Sequence, residues 1–369
     1  MMEIVKSQKD QLLEQYDKQK GLYQSFASEM EHQIKSILQA TGIECNAIVS
    51  RLKTKESVAE KITRKQDKYN DISEITDIAG VRIITYYSED VDKVSNIIEC
   101  EFNVDQENSI DKRESMEPDR FGYCSVHYVV EMNAARLALR EYQMYTGIKC
   151  EIQIRSVLQH AWAEIEHDIG YKSEITVPKE IRRNFSRLAG LLEIADKEFN
   201  EIRTTLDEYK SNATEQIMSN DFLEHEIDAV LLDILIDSDE NIIKLNNHIE
   251  KYTGSTVKDF VGDSTYQLII EKLNWLNITS IGQIADAIAR YLDTAIDIAN
   301  EMLKEYKDKE KTGNFNKTIA LFYLCYAVLL KEHCTKKDIY NYLIDNNLGK
   351  VEERDATVNK LYDLGKSLK

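Results

Sequence analysis

The segment IKCEIQIR, residues 148–155, alternates apolar and polar side chains along its whole length. One row consists of Ile148, Cys150, Ile152 and Ile154, and the other of Lys149, Glu151, Gln153 and Arg155. Because successive side chains of a strand point to opposite faces, the segment predicts a strand with one buried face. An antiparallel strand that exposes one face to solvent explains the polar row. A nucleotide site also fits, since a carboxylate can hold a metal while amide and guanidinium groups bind phosphate, sugar or base.

A second strand, over about 123–131, is predicted from DRFGYCSVHYVV, residues 119–130. The same alternation puts four side chains on its polar face: Tyr123, Ser125, His127 and Val129. Gly122 permits close backbone approach, which would leave the Tyr123 ring free to stack on a flat partner such as a base. A turn followed by a core tyrosine explains the Gly-Tyr pair as well.

Outward from these strands the chain is mostly helical. The predicted elements, in order, are a helix over 3–41, a helix capped by Thr54, a strand over 80–87, a helix capped by Ser88, the two strands above, and helices over 156–173 and 178–211. From about 212 the pattern is helical, with breaks near 253–256 and 311–314. We therefore predict an α+β fold: a short mixed α/β core flanked by helices over 1–212, followed by an all-helical domain over 213–369.

The bulk composition excludes several classes of protein. A net charge of −18 argues against a general nucleic-acid binder, and the 6 cysteines lack metal or redox spacing. No apolar run approaches the roughly 20 residues of a membrane helix, and the charged N-terminus does not have a signal-peptide pattern. We expect a cytoplasmic protein with no membrane partner.

Basic residues are concentrated in RLKTKESVAEKITRKQDK, residues 51–68. On the predicted helix Ser57, Lys61 and Lys65 fall one turn apart, and Arg51 and Lys53 precede it. A solvated helix face is the ordinary explanation, but so many bases in an acidic chain favour a polyphosphate site. Side chains would have to hold the phosphates, because the chain contains no G-x-x-x-x-G-K-[ST] loop.

Asp77 stands just before the strand predicted over 80–87. An acid at this position often caps a turn. Together with Glu151 on another strand, it also fits a Mg²⁺ site, since this ion prefers one or two carboxylates, with waters and phosphates completing its octahedron.

Taken in order, four segments resemble the synthetase domain of RelA/SpoT-type alarmone synthetases: RLKTKESVAEK (51–61), DIAGVRI (77–83), FGYCSVHYVV (121–130) and EIQIRSVLQHAWAEIEHDIGYK (151–172). The resemblance implies a nucleotidyltransferase-like mixed β-sheet, flanked by helices, within 1–212 and says nothing about 213–369. It also implies that pyrophosphate passes from ATP to the 3′-hydroxyl of GDP or GTP, giving (p)ppGpp. We expect the small, single-function type, because EHD at 166–168 lies inside the synthetase block and is not the metal-binding motif of a hydrolase domain.

The resemblance implies a role for each matching residue. Arg51, Lys53, Ser57, Lys61 and Arg82 would bind ATP. Asp77 would bind Mg²⁺, and Glu151 would share the metal or act as the base toward the ribose hydroxyl. The residues on the acceptor side would be Tyr123, which stacks on the base, and His127, Gln153 and Arg155, which position the nucleotide.

One departure from the family keeps a second function open. The acceptor loop of the family commonly reads K-P-N-G-Y, whereas DRFGY here has Asp119 near the place of the lysine. A tRNA 3′ end presents no 5′ phosphates to this loop, so a toxin-type pyrophosphokinase acting on tRNA or adenine nucleotides is the alternative. The acidic net charge counts against tRNA. A non-catalytic nucleotide-binding regulator is the third possibility, and the presence of both Asp77 and Glu151 argues against it.

The C-terminal region contains two clear helical patterns. SIGQIADAIARYLDTAIDIANEML (280–303) is amphipathic, and KTIALFYLCYAVLLKEH (317–333) is apolar enough to be buried. Both predict the core of a helical bundle. We expect a regulatory role for this domain, either as a built-in inhibitor or as a sensor and oligomerisation module, so a homo-oligomer is also compatible with the sequence.

Overall fold

The computed structural model describes residues 7–65, 68–111, 125–172, 178–218, 225–258, 262–307 and 314–368. The chain divides into two compact units, Met1–Thr204 (unit 1) and Thr205–Lys369 (unit 2), and the division falls within a long helix. Each unit has a hydrophobic core of its own.

Unit 1 is built from six helices and six strands among the described residues. In chain order they are α1 (Gln8–Ala40), β1 (Cys45–Leu52), α2 (Lys55–Arg64), β2 (Ala79–Thr85), α3 (Ser88–Glu101), β3 (Phe102–Val104), β4 (Ile110–Asp111), β5 (Val126–Met132), α4 (Ala134–Leu137), β6 (Cys150–Ser156), α5 (Val157–Lys172) and α6 (Lys179–Met218), whose last turns belong to unit 2.

The strands of unit 1 form one mixed sheet. Its order is β1-β2-β6-β5-β3, and β4 pairs with β5. Strands β2 and β6 are parallel, whereas the other pairs are antiparallel. The predicted mixed sheet flanked by helices is therefore confirmed.

The two faces of this sheet differ in chemistry. The strand register aligns Arg51, Gly80, Glu151 and Val129 in one row, and Val49, Arg82, Gln153 and His127 in the next row on the same face. We call this side of the sheet the polar face. The opposite face is mainly apolar and is buried along the central strands β2 and β6, where it joins the buried sides of α1 and α3 in the core of unit 1. The alternation predicted for residues 148–155 and 124–130 is confirmed wherever these residues are described.

Sequence reasoning missed one element of unit 1 and placed one helix cap wrongly. Strand β1 was not predicted, because its residues are mostly only half-buried and show no clean alternation. The prediction that Ser88 caps α3 is wrong: Tyr87 occupies the N-cap and Ser88 is the first helical residue. The Ser88 hydroxyl instead accepts a hydrogen bond of 2.7 Å from Asn200 Nδ2 on α6.

Unit 2 is a helical bundle with one small pair of strands. After the end of α6 its elements are α7 (Ala229–Ser238), α8 (Glu240–Thr253), β7 (Thr256–Lys258), α9 (Asp263–Trp275), α10 (Ile281–Met302), α11 (Lys304–Lys307), β8 (Asn314–Asn316), α12 (Ile319–Glu332), α13 (Lys336–Asp345) and α14 (Arg354–Ser367). Strands β7 and β8 pair in parallel at the two breaks expected in the helical pattern. Ten of the 14 residues of α12 are buried, as predicted for this apolar segment. The α+β class is confirmed, with this strand pair as an addition to the helical C-terminal domain.

No helix in the described ranges combines the length and apolarity that crossing a bilayer requires.

Candidate active site

The first group of charged side chains in unit 1 is a carboxylate held between two lysines. Lys53 Nζ lies 2.8 Å from Asp77 Oδ2, and Lys61 Nζ lies 2.9 Å from Asp77 Oδ1. Burial raises the pKa of Asp77, but the hydrogen bonds and charges of the two lysines outweigh it and hold this pKa below its usual value. Two ammonium groups against one carboxylate leave one uncompensated positive charge. The cluster therefore favours an anion.

Local structure fixes the two lysines of this cluster. Lys53 directly follows β1, and its N–H donates to the carbonyl of Ile78 at 2.9 Å. Its own carbonyl accepts from the Tyr16 hydroxyl at 2.7 Å, so helix α1 holds the backbone from the other side. Lys61 lies on α2, which begins after the predicted N-cap Thr54.

The Thr54 cap also places Ser57 in the first turn of α2. Thr54 Oγ1 accepts from the Ser57 N–H at 3.3 Å and donates to Ser57 Oγ at 3.1 Å. The N-cap predicted at Thr54 is confirmed. The positive end of the α2 dipole adds to the charge of the lysines, because the first N–H groups of a helix have no partner within it.

The second group centres on Glu151, in strand β6. Its Oε1 lies 3.1 Å from His127 Nδ1, and its Oε2 accepts from Gln153 Nε2 at 2.7 Å. Burial raises the pKa of Glu151, whereas contacts with His127 and Gln153 and the charge of Arg51 lower it to a net value of about 2. Glu151 is therefore ionised at neutral pH. Beyond it, Ser125 Oγ lies 2.7 Å from His127 Nε2.

Three arginines extend the positive charge across the polar face. Arg51 and Arg82 stand in adjacent rows on β1 and β2. Arg82 Nη1 lies 3.0 Å from Glu164 Oε1 on α5, and Arg155 Nη2 donates to Gln153 Oε1 at 3.1 Å. Burial, and after it the charge of Arg82, lowers the pKa of Arg155. Such mutual repulsion between neighbouring cations is relieved when an anion binds.

Gly80 makes room for Arg51 beside Glu151. A Cβ added to Gly80 would lie 3.1 Å from Arg51 Cγ and 3.4 Å from the Glu151 carbonyl oxygen. The lack of a side chain on β2 therefore lets the Arg51 side chain lie across this strand. An isolated glycine inside a strand is typical of such close approaches.

The structure places most of the predicted site residues on or beside this polar face. Lys53, Lys61 and Asp77 are in direct contact, as are His127, Glu151, Gln153 and Arg155. Tyr123 lies outside the described residues, as do Asp119 and Arg120 of the acceptor loop.

The two acids predicted to share a metal have separate sets of partners. Asp77 contacts the two lysines, whereas Glu151 contacts His127 and Gln153. Asp77 stands three residues before Gly80, the residue that pairs with Glu151 in the parallel register. The part of the chain that the structure describes holds no group of three or more His, Cys, Asp and Glu side chains that could bind a metal. Two ionised carboxylates are nevertheless a donor set that suits Mg²⁺, which fills its remaining positions with water and phosphate oxygens.

Sequence reasoning missed three residues of this site. Gly80 could have been found from its position inside a predicted strand. Ser125 shares the alternation of His127 and was assigned no role. Glu164 follows β6 by less than three helical turns, but its ion pair with Arg82 joins residues far apart in the sequence.

Comparison with known proteins gives matches that include this site. Residues 50–176 match a family described as a region found in RelA / SpoT proteins. The chain is 32% identical over 161 residues to the GTP pyrophosphokinase YwaC of Bacillus subtilis, covering 43% of this chain and 73% of that protein. It is 30% identical over 167 residues to the GTP pyrophosphokinase YjbM of the same organism, covering 44% and 73%.

Among solved structures the chain is similar to the small alarmone synthetase 1 from Bacillus subtilis. The identity is 27% and the TM-score 0.44, and the match covers 52% of this chain and 99% of the other.

Proposed function

The chain belongs to the RelA/SpoT family of GTP pyrophosphokinases, and we propose that it transfers pyrophosphate from ATP to the 3′-hydroxyl of GDP or GTP, with Mg²⁺, to give (p)ppGpp. The observation that carries this proposal is the surplus of cations on the polar sheet face. There two lysines share Asp77, and Arg51 and Arg82 stand in the rows that contain Glu151 and Gln153.

On the donor side, this charge suits a polyphosphate. Transfer of a phosphoryl-type group depends mainly on positioning and on neutralising charge, with little covalent chemistry for the protein to perform. Lys53, Lys61, Arg51 and Arg82 would bind the phosphates of ATP, and Ser57 would add its hydroxyl from the first turn of α2. The two lysines are held ready by Asp77 until phosphate oxygens replace its carboxylate.

Asp77 and Glu151 would hold the Mg²⁺ ion. Both have pKa values below the ordinary range, so both are anionic at neutral pH. When bound, Mg²⁺ supplies charge neutralisation for the transferred group.

On the acceptor side, Glu151 can accept a hydrogen bond from the ribose hydroxyl. Such a contact orients the hydroxyl for in-line attack and gives its proton a place to go. Tyr123 is proposed to stack on the guanine base. His127, Gln153 and Arg155 lie around Glu151 on the polar face.

A transfer assay tests the proposal. The purified full-length chain is incubated with Mg²⁺ and ATP labelled on its terminal phosphate, in separate reactions with GDP, GTP, ATP or tRNA. We expect label in a guanine nucleotide, with AMP as co-product. Label in tRNA or an adenine nucleotide would refute the proposed acceptor, and no transfer to any acceptor would refute pyrophosphate transfer itself.

A further inference from the structure

Five side chains on the polar face form one continuous chain of hydrogen bonds. It runs from Ser125 Oγ to His127 Nε2 (2.7 Å), from His127 Nδ1 to Glu151 Oε1 (3.1 Å), from Glu151 Oε2 to Gln153 Nε2 (2.7 Å) and from Gln153 Oε1 to Arg155 Nη2 (3.1 Å).

The direction of each hydrogen bond follows from the chemistry of the groups. An ionised carboxylate only accepts, so His127 Nδ1 and Gln153 Nε2 must both donate to Glu151. In the neutral imidazole this leaves Nε2 as an acceptor, and the Ser125 hydroxyl donates to it. The Gln153 carbonyl in turn accepts from Arg155. Donors therefore converge on Glu151 from both ends.

The members that flank Glu151 are almost fully buried. Relative exposure is 7% for Ser125, 8% for His127, 7% for Gln153 and 9% for Arg155. A buried polar group left without its partner costs free energy, so each link holds the next in place. Both ring nitrogens of His127 and both ends of the Gln153 amide are already engaged within the protein.

We propose that Ser125 is a positioning residue for pyrophosphate transfer: it holds His127 in the orientation that presents Nδ1 to Glu151, and so fixes the carboxylate at the centre of the site. The inference rests on the proposed function and deepens it. It also makes His127 and Gln153 residues that act through Glu151, where the sequence had suggested that they act by touching the acceptor nucleotide.

A serine, a histidine and a carboxylate in this order also occur in hydrolases, where they activate the serine as a nucleophile. Here the carboxylate receives a second hydrogen bond, from Gln153, and stands in the row that contains Arg51. The hydrogen bonds and the nearby Arg51 guanidinium therefore act on the Glu151 carboxylate. They do not activate the Ser125 hydroxyl as a nucleophile.

Kinetics of two Ser125 variants in the full-length chain test this role. Ser125→Ala leaves His127 Nε2 without its donor, and we expect kcat to fall about tenfold, with the KM values for ATP and for GDP changed by less than about twofold. Ser125→Thr keeps a hydroxyl and should restore kcat to within about threefold of the wild type. The matched control is Ser95→Ala, which removes the hydroxyl of another buried serine in unit 1, on helix α3. We expect it to leave both constants unchanged.

Three kinetic results would overturn the inference. The first is a Ser125→Ala variant with wild-type kcat. The second is a variant that raises only the KM for GDP, since this means that Ser125 contacts the acceptor. The third is a threonine variant as slow as the alanine variant.

Nuclear magnetic resonance of isotope-labelled histidine provides a readout that needs no turnover. We expect a proton on His127 Nδ1 in the wild type, and a shifted His127 resonance in Ser125→Ala. An Nδ1 without a proton would refute the hydrogen-bond chain. If the wild type makes no (p)ppGpp, the proposed function fails, while the resonance still tests the chain of hydrogen bonds separately.

Discussion

Each unit of the molecule contains a cluster of lysine and aspartate side chains, but the proportions are reversed. In unit 1 the carboxylate of Asp77 lies between Lys53 and Lys61. In unit 2 the ammonium of Lys317 lies between Asp233 (2.7 Å) and Asp237 (2.8 Å). The first cluster has a surplus positive charge and the second a surplus negative charge.

The residues around each cluster increase this difference in net charge and in role. Around Asp77, Arg51 and Arg82 add further positive charge on the polar sheet face. Around Lys317 the contacts are structural: its carbonyl accepts from Asn246 Nδ2 at 2.9 Å and its N–H donates to the Lys258 carbonyl at 3.1 Å, next to the β7–β8 pair. The same residue types therefore leave a surplus of positive charge beside the polar sheet face in one unit and join secondary-structure elements in the other.

The largest effect on activity is expected at Glu151, the carboxylate that accepts hydrogen bonds from His127 and Gln153 in unit 1. Glu151→Gln keeps the shape of the side chain but removes the negative charge required by the proposed contacts with Mg²⁺ and the ribose hydroxyl. We expect kcat to fall by at least about a thousandfold, as measured by label transfer from ATP to GDP. The variant should keep the circular dichroism spectrum of the wild type. A loss of less than tenfold would contradict the role of Glu151.

Acid should weaken unit 1 through the same residue. The folded pKa of Glu151 is about 2, against an ordinary 4.5, so its stabilising effect is complete above pH 4.5 and is lost as the pH falls toward 2. We expect this to remove up to about 3 kcal/mol from the unfolding free energy of unit 1.

The two tryptophans allow this loss to be measured in one unit at a time, because Trp162 lies in unit 1 and Trp275 in unit 2. In a Trp275→Phe background, the tryptophan fluorescence recorded during urea unfolding reports on unit 1 alone. The slope of stability against pH should be steeper with Glu151 than with Glu151→Gln, and equal slopes would contradict the lowered pKa.

Breaking the unit 2 cluster should affect stability and not ligand binding. Lys317→Met leaves two carboxylates facing each other, and we expect unit 2 to lose about 2–3 kcal/mol, below the usual cost of breaking a fully buried pair because the carboxylates can turn to water. Asp233 and Asp237 are 44% and 56% exposed. Urea unfolding in a Trp162→Phe background measures this loss. An unchanged midpoint would show that the cluster contributes nothing to the fold.

The smallest effect is expected at Gly80. Replacing this residue changes the space available to the Arg51 side chain and leaves every charge in unit 1 in place. The Cβ of Gly80→Ala must displace the flexible Arg51 side chain by a few tenths of an ångström. We expect about a threefold rise in the KM for ATP and a stability change of less than about 1 kcal/mol. A variant with wild-type kinetics would show that the path of Arg51 across β2 does not matter.

The sequence predicted the parts of this site that depend on local alternation. Glu151 and Gln153 share a face because they are two residues apart on a strand, and Thr54 caps α2 because its hydroxyl reaches the Ser57 N–H. The contacts between distant segments were beyond such reasoning. The pair Arg82–Glu164 and the bond from Asn200 to Ser88 depend on how α5 and α6 pack in unit 1.

Strand β1 shows a second limit of sequence reasoning. Its segment CNAIVSRL has neither a clean alternation nor a long apolar run, and its strand geometry comes from pairing with β2. Arg51 was therefore predicted as part of a basic run, and its place opposite Gly80, in the row that contains Glu151, became visible only in the assembled sheet.

Binding of a non-hydrolysable ATP analogue, measured by calorimetry in the presence of Mg²⁺, tests most directly whether the cluster with surplus positive charge is the nucleotide site. We predict that the double variant Lys53→Met/Lys61→Met raises the dissociation constant at least about thirtyfold, as expected for the loss of two charge-assisted contacts, whereas Lys317→Met leaves it within twofold of the wild type. Unchanged binding in the double variant, or an equal loss in Lys317→Met, would contradict the assignment.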